Sequence, residues 1–495
     1  MSSKKNSNQY LPSIGIECHV QLKTQTKLFA AINNDARQAA PNTLISHICL
    51  GMPGSLPVLN KQAVKLSIKA SFALNTPPQK HTKFDRKHYF YPDLPKGYQI
   101  TQLDEPIVLG GHVDIPVEGD VRRIGITRAH LEEDAGKNTH PAGKEYSLVD
   151  LNRAGTPLLE IVSEPDMHSA DEARLFAREL YLLMRYAGVS DADLYHGNMR
   201  FDVNVSLSDD PDRLGTRTET KNLNSFRSVE RAVEYEIKRQ TELLDKGQVI
   251  VQETRGWDDA KQKTVSQRGK EFAHDYRYFP DPDIPPIVLD SDMIEEVRQT
   301  MPVLPGEWRK RLCELELDAS QVETLLEAEI DWKDSSFLGQ IAKNMKDPLF
   351  AKTLANWYVN LEIPLRRDES KSVQLTDDNA RERLYKEVYD LIQDNKLSST
   401  NAKALITTVL TSGADPKNYE KYATEQGFVQ VSDEGEISSI VKKVISENNQ
   451  AALDVQNGEL KAIGFLVGQV MKASQGKANP EMAQRLIKEQ LGVER

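Results

Sequence analysis

Residues 14–22 read IGIECHVQL, and apolar and polar side chains alternate strictly along this stretch. Because side chains on a β-strand point alternately to opposite faces, the pattern predicts a strand with one apolar and one polar face. Glu17 and His19 fall on the polar face, where together they form half of a metal site or an acid–base site. A half-exposed strand whose outer face is merely polar explains the same nine residues.

The totals describe an ordinary globular protein of 495 residues, 39% hydrophobic and 28% charged, with a formal net charge of −11. This length exceeds what one hydrophobic core supports, so several domains are expected. The sequence has no run of about 18 apolar residues and no apolar segment after the polar residues 1–10, so we expect a cytoplasmic protein without a membrane span. The acidic balance argues against a DNA partner, although local basic patches suffice to hold one tRNA.

Three cysteines, Cys18, Cys49 and Cys313, lie far apart and form no C-x-x-C pair. This spacing predicts neither a disulfide framework nor a cysteine zinc site. The sequence also lacks a P-loop, a G-x-G-x-x-G turn before a helix and a G-x-S-x-G elbow. If ATP binds, it binds in neither of the two standard glycine-rich phosphate loops.

Three regions of the chain differ in pattern, and together they predict an α+β fold. Residues 1–295 mix short alternating runs with helices, which is typical of one large mixed α/β domain. Residues 296–410 lose the strand pattern and predict an α-helical domain, with one helix over 378–394. Residues 411–495 predict a small, mostly helical tail domain.

Two helices are predicted within the first region. One begins at Ser169, which forms a capping box with Glu172, and ends at Gly188. The other begins after residues 222–225, where either Asn224 or Ser225 is the cap, and ends near Gly247.

Acidic residues stand in two unfavourable settings. Residues 132–134 read EED, and adjacent acids repel unless a cation or solvent separates them, although an acidic surface turn explains them as well. Glu160 lies inside the apolar run LLEIV, where an unpaired carboxylate is costly to bury. A shared divalent cation satisfies these acids, and oxygen-rich ligation favours Mg²⁺ or Mn²⁺ over zinc. The candidate ligands are Glu17, His19, Glu160 and either Glu132 or Glu133.

Basic and aromatic residues interleave over residues 84–99, which suits a phosphate-bearing ligand or a stacked, unpaired nucleotide. A loop whose aromatics cover the core explains this composition as well. On a second alternating strand, Arg200, Asp202 and Asn204 share one face. Lys221 precedes a predicted helix whose first N–H groups suit a phosphate, although ordinary N-capping explains the same segment.

With these residues in view, the chain resembles the GatB family of aspartyl/glutamyl-tRNA amidotransferase subunits almost from end to end. The stretches that carry the resemblance are residues 14–23, 83–99, 130–137, 148–166, 221–226, 275–280, 464–469 and 472–474. The resemblance implies a cradle-shaped amidotransferase domain, followed by a helical domain and a tail that support tRNA.

The resemblance also implies an ATP-dependent carbon–nitrogen ligase that works in a heterotrimer. ATP phosphorylates the side-chain carboxylate of Glu-tRNA(Gln) or Asp-tRNA(Asn), and ammonia attacks the acyl phosphate to give Gln-tRNA(Gln) or Asn-tRNA(Asn). A partner amidase subunit releases the ammonia from glutamine or asparagine, and a small third subunit braces the pair. This chain shows no amidase pattern of its own, which fits imported ammonia.

Site residues follow from the resemblance position by position. It implies that the Mg²⁺ and ATP site consists of Glu17, His19, Glu132, Glu133 and Glu160. It implies that the ammonia path consists of Lys87, Tyr89, Lys96, Glu133 and Asp202. Candidates for contacts to phosphate or to the acceptor end of tRNA are Arg200, Asn204 and Lys221.

By role, the resemblance implies that the catalytic residues are Glu17, His19, Glu133, Glu160 and Asp202. The implied binding residues for cofactor or substrate are Lys87, Tyr89, Lys96, Arg200, Asn204 and Lys221. Many family members carry a zinc-binding cysteine cluster between residues 30 and 49, whereas this chain keeps only Cys49 there. No zinc is therefore expected.

Two other interpretations of the sequence remain. One is a tRNA-binding scaffold without phosphoryl-transfer chemistry, which the helical and tail domains suggest. The other is a free-standing ATP-dependent ligase that acts on a small carboxylate without partners or RNA.

Overall fold

The computed structural model describes residues 10–141, 143–269, 276–332, 336–429, 434–457, 459, 461–474 and 478–493. The polar residues 1–9 and residue 275 of the matched stretch 275–280 lie outside this description. Contacts within the chain divide it into two compact units, Met1–Gly306 and Glu307–Arg495. The first unit contains a twelve-stranded sheet and helices, whereas the described second unit is helical, so the predicted α+β class is confirmed.

The strands lie in the first unit. They are β1 (Leu11–Gln21), β2 (His81–Thr82), β3 (Asp85–His88), β4 (Tyr98–Thr101), β5 (Val108–Leu109), β6 (His112–Val117), β7 (Asp120–Glu133), β8 (Lys137–Thr139), β9 (Leu148–Asp150), β10 (Pro157–Ser163), β11 (Met199–Ser208), β12 (Thr218–Leu223), β13 (Glu253–Asp258), β14 (Lys263–Gly269), β15 (Phe279–Pro280) and β16 (Ile287–Val288). The large sheet has the order β14-β13-β12-β11-β1-β10-β7-β4-β3-β15, with β5 and β6 also paired to β7. Its strand pairs are antiparallel except for β12 and β13.

The helices occur in both units. They are α1 (Lys61–Ala73), α2 (Ala170–Tyr186), α3 (Phe226–Asp245), α4 (Ser291–Gln299), α5 (Pro305–Cys313), α6 (Ala319–Asp331), α7 (Phe337–Lys343), α8 (Pro348–Trp357), α9 (Ile363–Arg367), α10 (Asp378–Gln393), α11 (Ser399–Ser412), α12 (Tyr419–Glu425), α13 (Glu434–Glu447), α14 (Asn449–Gln456), α15 (Lys461–Ala473) and α16 (Pro480–Leu491). A π-helical turn, Tyr358–Glu362, joins α8 to α9. Among the helices in the described ranges, none has the length and apolar character needed to cross a bilayer.

Strand β1 lies between β10 and β11 and is anchored by its apolar face. Ile14, Ile16, Cys18 and Val20 are at most 1% exposed and belong to the core of the first unit. A slip of one residue in the strand pairing would turn this whole row of side chains toward solvent. Burial of each aliphatic side chain in the row stabilises the folded state by about 1.5–3 kcal/mol, so the observed pairing is strongly favoured. The predicted strand and its buried face are therefore confirmed, and the register of the polar face follows from them.

Helix α2 follows the predicted boundaries with one difference at its start. The side chain of Ser169 accepts a hydrogen bond from the backbone N–H of Glu172, as the predicted cap requires. The Glu172 carboxylate instead accepts the backbone N–H of His168 (2.6 Å) and pairs with Arg122, so the reciprocal half of the predicted capping box is wrong. One carboxylate oxygen of Glu172 thus bonds the N–H of the residue before the cap, and the other pairs with Arg122. Beyond the helix, Gly188 has φ of +67°, as its predicted end requires.

Two further helix predictions agree with the structure. Ser225, rather than Asn224, caps α3 by accepting the N–H of Ser228, and Gly247 follows the helix with φ of +71°. Helix α10 covers the window predicted as helical over 378–394.

The predicted domain limits at 295 and 410 both fall inside helices, α4 and α11 respectively, whereas the contact division lies after Gly306. Helices α13 to α16 share a separate apolar core. Its buried members are Ile437, Val441, Val444, Ala452, Val455, Ile463, Leu466, Val470, Ala478, Ala483, Leu486, Ile487 and Leu491. The three-domain division remains a prediction.

A buried charge network stabilises the second unit. Glu362 is fully buried at the end of the π-helical turn. Its carboxylate accepts hydrogen bonds from Arg366 (2.9 Å), Arg381 (2.8 Å) and Tyr385 (2.5 Å). Both guanidinium groups therefore pair with one buried carboxylate, and Arg381 also pairs with Asp378 (2.5 Å).

Replacing Glu362 by alanine should lower the free energy of unfolding by about 3–5 kcal/mol, because it removes the buried carboxylate that pairs with both Arg366 and Arg381. Urea unfolding followed by tryptophan fluorescence measures this, since Trp308, Trp332 and Trp357 all lie in the second unit. The matched control is Glu316→Ala, which removes an exposed pair with Lys352 (2.9 Å) and should leave the midpoint unchanged. Equal midpoints for both variants would contradict the prediction.

In the first unit, Glu236 on α3 forms a second buried network. Its carboxylate accepts hydrogen bonds from Thr218 (2.8 Å), Thr264 (2.5 Å) and Arg239 (2.7 Å) and lies 3.1 Å from Arg255 Nε. Burial opposes the charge, but the hydrogen bonds from Arg239, Thr264 and Thr218 lower the pKa of Glu236 below its ordinary value. The network thus joins α3 to β12, β13 and β14, and its ion pairs with Arg239 and Arg255 require ionised Glu236.

Because the folded-state pKa of Glu236 is depressed, its stabilising effect should be complete above the unfolded-state pKa of about 4.3 and disappear as pH falls through the folded-state value. Glu236→Gln should therefore lower the urea midpoint strongly at pH 7. As pH falls below the unfolded-state value and through the folded-state pKa, the midpoints of wild type and variant should converge. A difference between the two midpoints that does not shrink as pH falls would contradict this linkage.

Candidate functional site

Polar side chains cover one face of the sheet where β7, β10, β1 and β11 run side by side. The register sets Glu160 opposite both His19 and His130, and it sets Glu17 opposite Asp202. Because the other face of β1 lies in the core, these side chains project together on the opposite face.

Three of these side chains converge on one point, and we call them the ion cluster: His19, Glu132 and Glu160. Each offers one ligand atom, and these atoms lie within 4.8 Å of one another. Nε2 of His19 is 3.3 Å from Oε2 of Glu160, and Thr101 donates a hydrogen bond to Glu132 (3.2 Å). One imidazole and two carboxylates around a common centre fit a divalent cation that prefers oxygen ligands.

Two other candidate metal ligands do not join the ion cluster among the described residues. The carboxylate of Glu17 accepts a hydrogen bond from Asn204 Nδ2 (3.1 Å). Glu133 pairs with Lys96 and accepts the backbone N–H of Ile100 (3.0 Å), because consecutive residues of a strand point to opposite faces. The metal roles predicted for Glu17 and Glu133 gain no support from this geometry and remain predictions.

The electrostatics of the face reflect crowded carboxylates. Burial and the charge of Glu160 raise the pKa of Glu17. Burial opposes the charge of His19, but its hydrogen bond to Glu160 outweighs that effect and raises the pKa of His19 to about 9. Burial also opposes ionisation of Glu160, but His130 and His19 hold the pKa of Glu160 well below its usual range. A protonated His19 thus supplies positive charge where a cation would sit.

The predicted ammonia-path residues of the 84–99 segment line up beside the ion cluster. Lys96 forms a buried ion pair with Glu133. Nζ of Lys87 lies 5.0 Å from the ring centre of Tyr276 and 5.9 Å from that of Tyr89. Burial opposes the charge of Lys87, but acids of the ion cluster raise its pKa, so it stays protonated. The segment presents cations and aromatic faces, as the sequence indicates.

Asp202 lies on the other side of Glu17 and is held by Lys221 (3.2 Å) and by the backbone N–H of Asn222 (2.8 Å). Burial opposes the charge of Lys221, but Asp202 and Glu219 raise its pKa. The structure therefore places Asp202 in a network with Lys221, without a direct contact to Lys96 or Glu133 among the described residues.

Two further residues of this face, His130 and Asp134, are functional candidates that were not identified from the sequence alone. Nε2 of His130 lies 3.7 Å from carboxylate oxygens of Glu132 and of Glu160, while its buried Nδ1 has no hydrogen-bond partner among the described residues. Asp134 holds Arg200 at 3.2 Å and raises its pKa. The spacing H-x-E-x-D places residues 130, 132 and 134 two apart, so strand periodicity was the available signal.

The fold and this carboxylate-rich face define the class of the protein, because family comparisons match both units. Residues 12–295 match the family described as the GatB/GatE catalytic domain, and residues 336–491 match the GatB domain. The chain therefore belongs to the GatB family.

Individual relatives match over nearly their whole length. The protein of Carboxydothermus hydrogenoformans is 44% identical over 98% of this chain and 99% of its own length. The protein of Persephonella marina is 45% identical over 98% of this chain and 100% of its own length. The protein of Brevibacillus brevis is 44% identical over 98% of this chain and 99% of its own length. Each of these relatives is the GatB subunit of an aspartyl/glutamyl-tRNA(Asn/Gln) amidotransferase.

If the ion cluster binds a divalent cation, Glu160→Gln should weaken Mn²⁺ binding at least about tenfold, because it removes a charged ligand atom. Electron paramagnetic resonance of free Mn²⁺ measures the affinity without requiring activity. Glu164→Gln is the matched control, since Glu164 is exposed, lies four residues further on and accepts a hydrogen bond from Thr127 instead (2.7 Å). Equal Mn²⁺ affinity in both variants would count against the cluster as a metal site.

Proposed function

We propose that this chain acts as the GatB subunit of an aspartyl/glutamyl-tRNA amidotransferase, within a multi-subunit complex. In this role it uses ATP to phosphorylate the side-chain carboxylate of Glu-tRNA(Gln) or Asp-tRNA(Asn). Ammonia then displaces the phosphate and gives Gln-tRNA(Gln) or Asn-tRNA(Asn). Relatives of that name, matched over 98% of the chain, support the proposal.

One observation carries the proposal: the two consecutive residues Glu132 and Glu133 belong to different polar networks. Glu132 joins His19 and Glu160 in the ion cluster. Glu133 forms the buried pair with Lys96. The first network suits phosphoryl transfer and the second suits delivery of ammonia, so one strand end serves both halves of the reaction.

The phosphorylation half uses the ion cluster. A divalent cation bound there would offset the negative charge of the triphosphate. Arg200 and Lys221 lie on the same face, held in place by Asp134 and Asp202, and supply fixed positive charge for phosphate oxygens. The substrate carboxylate attacks the terminal phosphorus, the bond to the leaving ADP breaks, and an acyl phosphate results.

The amidation half uses the aromatic and basic segment. The Glu133 carboxylate takes a proton from ammonium, and the resulting ammonia attacks the acyl carbon while phosphate leaves. Lys96 holds the Glu133 carboxylate in position through their ion pair. Lys87, which lies near the rings of Tyr89 and Tyr276, supplies positive charge beside the phosphorylated carboxyl group. Asp202 pairs with Lys221 and therefore belongs to the phosphorylation half of this scheme.

The scheme implies partners and cofactors for the complex. The chain contributes ATP- and Mg²⁺-dependent chemistry, the amidase subunit provides ammonia, and the small third subunit braces the pair. The proposed helical domain, 296–410, and tail domain, 411–495, hold the tRNA.

Separate variants of the two networks test this assignment in the assembled complex with Mg²⁺ and misacylated tRNA. Removing the Glu160 carboxylate should abolish tRNA-stimulated ATP hydrolysis, so Glu160→Gln loses both steps. Glu133→Gln should keep that hydrolysis but lower glutamine-dependent amidation about 100-fold or more, the usual effect of losing a general base. Raising pH with added ammonium should restore amidation in Glu133→Gln, because more free ammonia is then present.

Three outcomes would contradict the scheme. Amidation that survives Glu160→Gln would favour a tRNA-binding scaffold. Loss of ATP hydrolysis in Glu133→Gln would remove the separation of the two networks. Turnover without tRNA or partner subunits would favour a free-standing ligase.

A further inference from the structure

A buried lysine of the first unit, Lys27, has no part in the reaction scheme above. It is 1% exposed. Its Nζ donates hydrogen bonds to the carbonyl oxygens of Leu44 (2.7 Å) and Ala154 (2.6 Å) and lies 3.8 Å from Sγ of Cys49. These three acceptors match the three donors of an ammonium group. Within the described ranges no carboxylate lies at ion-pair distance from Nζ, which is unusual because buried lysines are normally paired.

The burial of Lys27 carries a free-energy cost. Burial lowers the pKa of Lys27, and Cys49, Glu133 and Asp150 oppose this effect. A methionine has a similar length and would fill the same space without burying a charge. A side chain that served only as packing would avoid this cost, so the hydrogen bonds of Nζ are the feature to explain.

The carbonyl group of Ala154 belongs to a turn, residues 153–156, that we call the Gly155 turn. Gly155 has φ of +84°, which favours glycine at this position. The backbone N–H of Leu28 donates a hydrogen bond to the carbonyl oxygen of Gly155 (2.9 Å). Two consecutive residues, Lys27 and Leu28, therefore hold two consecutive carbonyl groups of the turn, one through a side chain and one through the backbone.

The Gly155 turn in its turn bonds to the end of β7. The backbone N–H of Gly155 donates to the carbonyl oxygen of Asp134 (2.9 Å), and the backbone N–H of Asp134 donates to that of Thr156 (2.8 Å). Glu133 directly precedes Asp134, so a shift of the turn would be felt at once by the backbone next to Glu133.

The two carboxylate oxygens of Glu133 differ in their surroundings. Oε1 is bonded by Lys96 and by the backbone N–H of Ile100 (3.0 Å). In the part of the chain that the structure describes, Oε2 accepts no hydrogen bond. A Cβ on Gly155 would lie 3.9 Å from this oxygen and 3.5 Å from Cδ of Lys27. The open oxygen therefore lies against the Gly155 turn, and the Lys27 side chain packs against the same turn.

An ammonium ion that reaches Glu133 has to bond to Oε2, because Oε1 already accepts two hydrogen bonds. We propose that Lys27 is a positioning residue for the amidation half of the reaction. It anchors the Gly155 turn so that the space beside Oε2 of Glu133 stays open to ammonium. The inference rests on the proposed function and adds to it a residue that lies outside both polar networks.

The test replaces Lys27 by methionine in the assembled complex, with Mg²⁺ and misacylated tRNA. Ammonium chloride at fixed pH serves as the nitrogen source, and both ATP hydrolysis and amide formation are measured as its concentration varies. Circular dichroism checks folding, and size-exclusion chromatography checks assembly. The matched control is Lys65→Met, which removes a pair with the exposed Glu296 (2.7 Å) elsewhere in the first unit.

Lys27→Met should hydrolyse ATP within about twofold of wild type but need about tenfold more ammonium for half-maximal amidation, because small displacements of a reacting group are costly. At low ammonium it should therefore hydrolyse more ATP per amide formed. Lys65→Met should change neither quantity.

An unchanged ammonium requirement in Lys27→Met would overturn the inference. Equal loss of ATP hydrolysis and amidation would overturn it too, since general damage to the fold produces that result. If Lys27→Met does not fold or assemble, Lys27→Gln, which keeps an N–H donor at shorter reach, decides by the same comparison with a smaller effect. Full amidation in Glu133→Gln would instead count against the proposed function itself, whatever Lys27→Met does.

Discussion

Keeping the partly buried Glu160 carboxylate ionised beside other carboxylates is the constraint that organises the central sheet face. Like charges on neighbouring strands cost free energy, and partial burial removes the water that would screen them. The apolar side chains of β1 lie in the core and therefore fix the register of the strand. That register also fixes the positions of the polar side chains on the opposite face of β1, so these cannot move apart. Histidines on both sides of Glu160 and protonated Lys87 beside it offset this repulsion with groups of the chain itself.

The same constraint explains why this face suits reactions of phosphates. A site that gathers acids without enough cations of its own gains stability when a divalent cation binds, and that cation in turn attracts phosphate oxygens. The cations that are present are held at the margin: Arg200 by Asp134, and Lys221 by Asp202. Negative charge at the centre and fixed positive charge at the rim together accommodate a metal–triphosphate better than either alone.

Much of this arrangement follows from local periodicity, and the part that does not depends on distant contacts. The strand at residues 14–22, its buried face and the caps at Ser169 and Ser225 agree with the structure because period and capping are local properties. The reciprocal half of the predicted capping box was wrong because the Glu172 carboxylate bonds the His168 N–H and Arg122 instead, and Arg122 is far away in sequence. In the candidate site, alternation alone placed Glu17 and His19 on one face, but which acids converge depends on the register of β7 with β10, and no local pattern specifies that register.

The order of features along β1 has a consequence for how two substrates meet. Phosphoryl transfer requires the attacking and leaving oxygens to lie on opposite sides of the phosphorus. Gly15 and Gln21 lie at opposite ends of the polar row of β1, about 20 Å apart by the rise per residue, with His19 between them. Groups held at the two ends of this row therefore face the ion cluster from opposite directions. An extended strand thus offers a straight line of positions across the cluster, a geometry that in-line transfer can use without a glycine-rich phosphate loop.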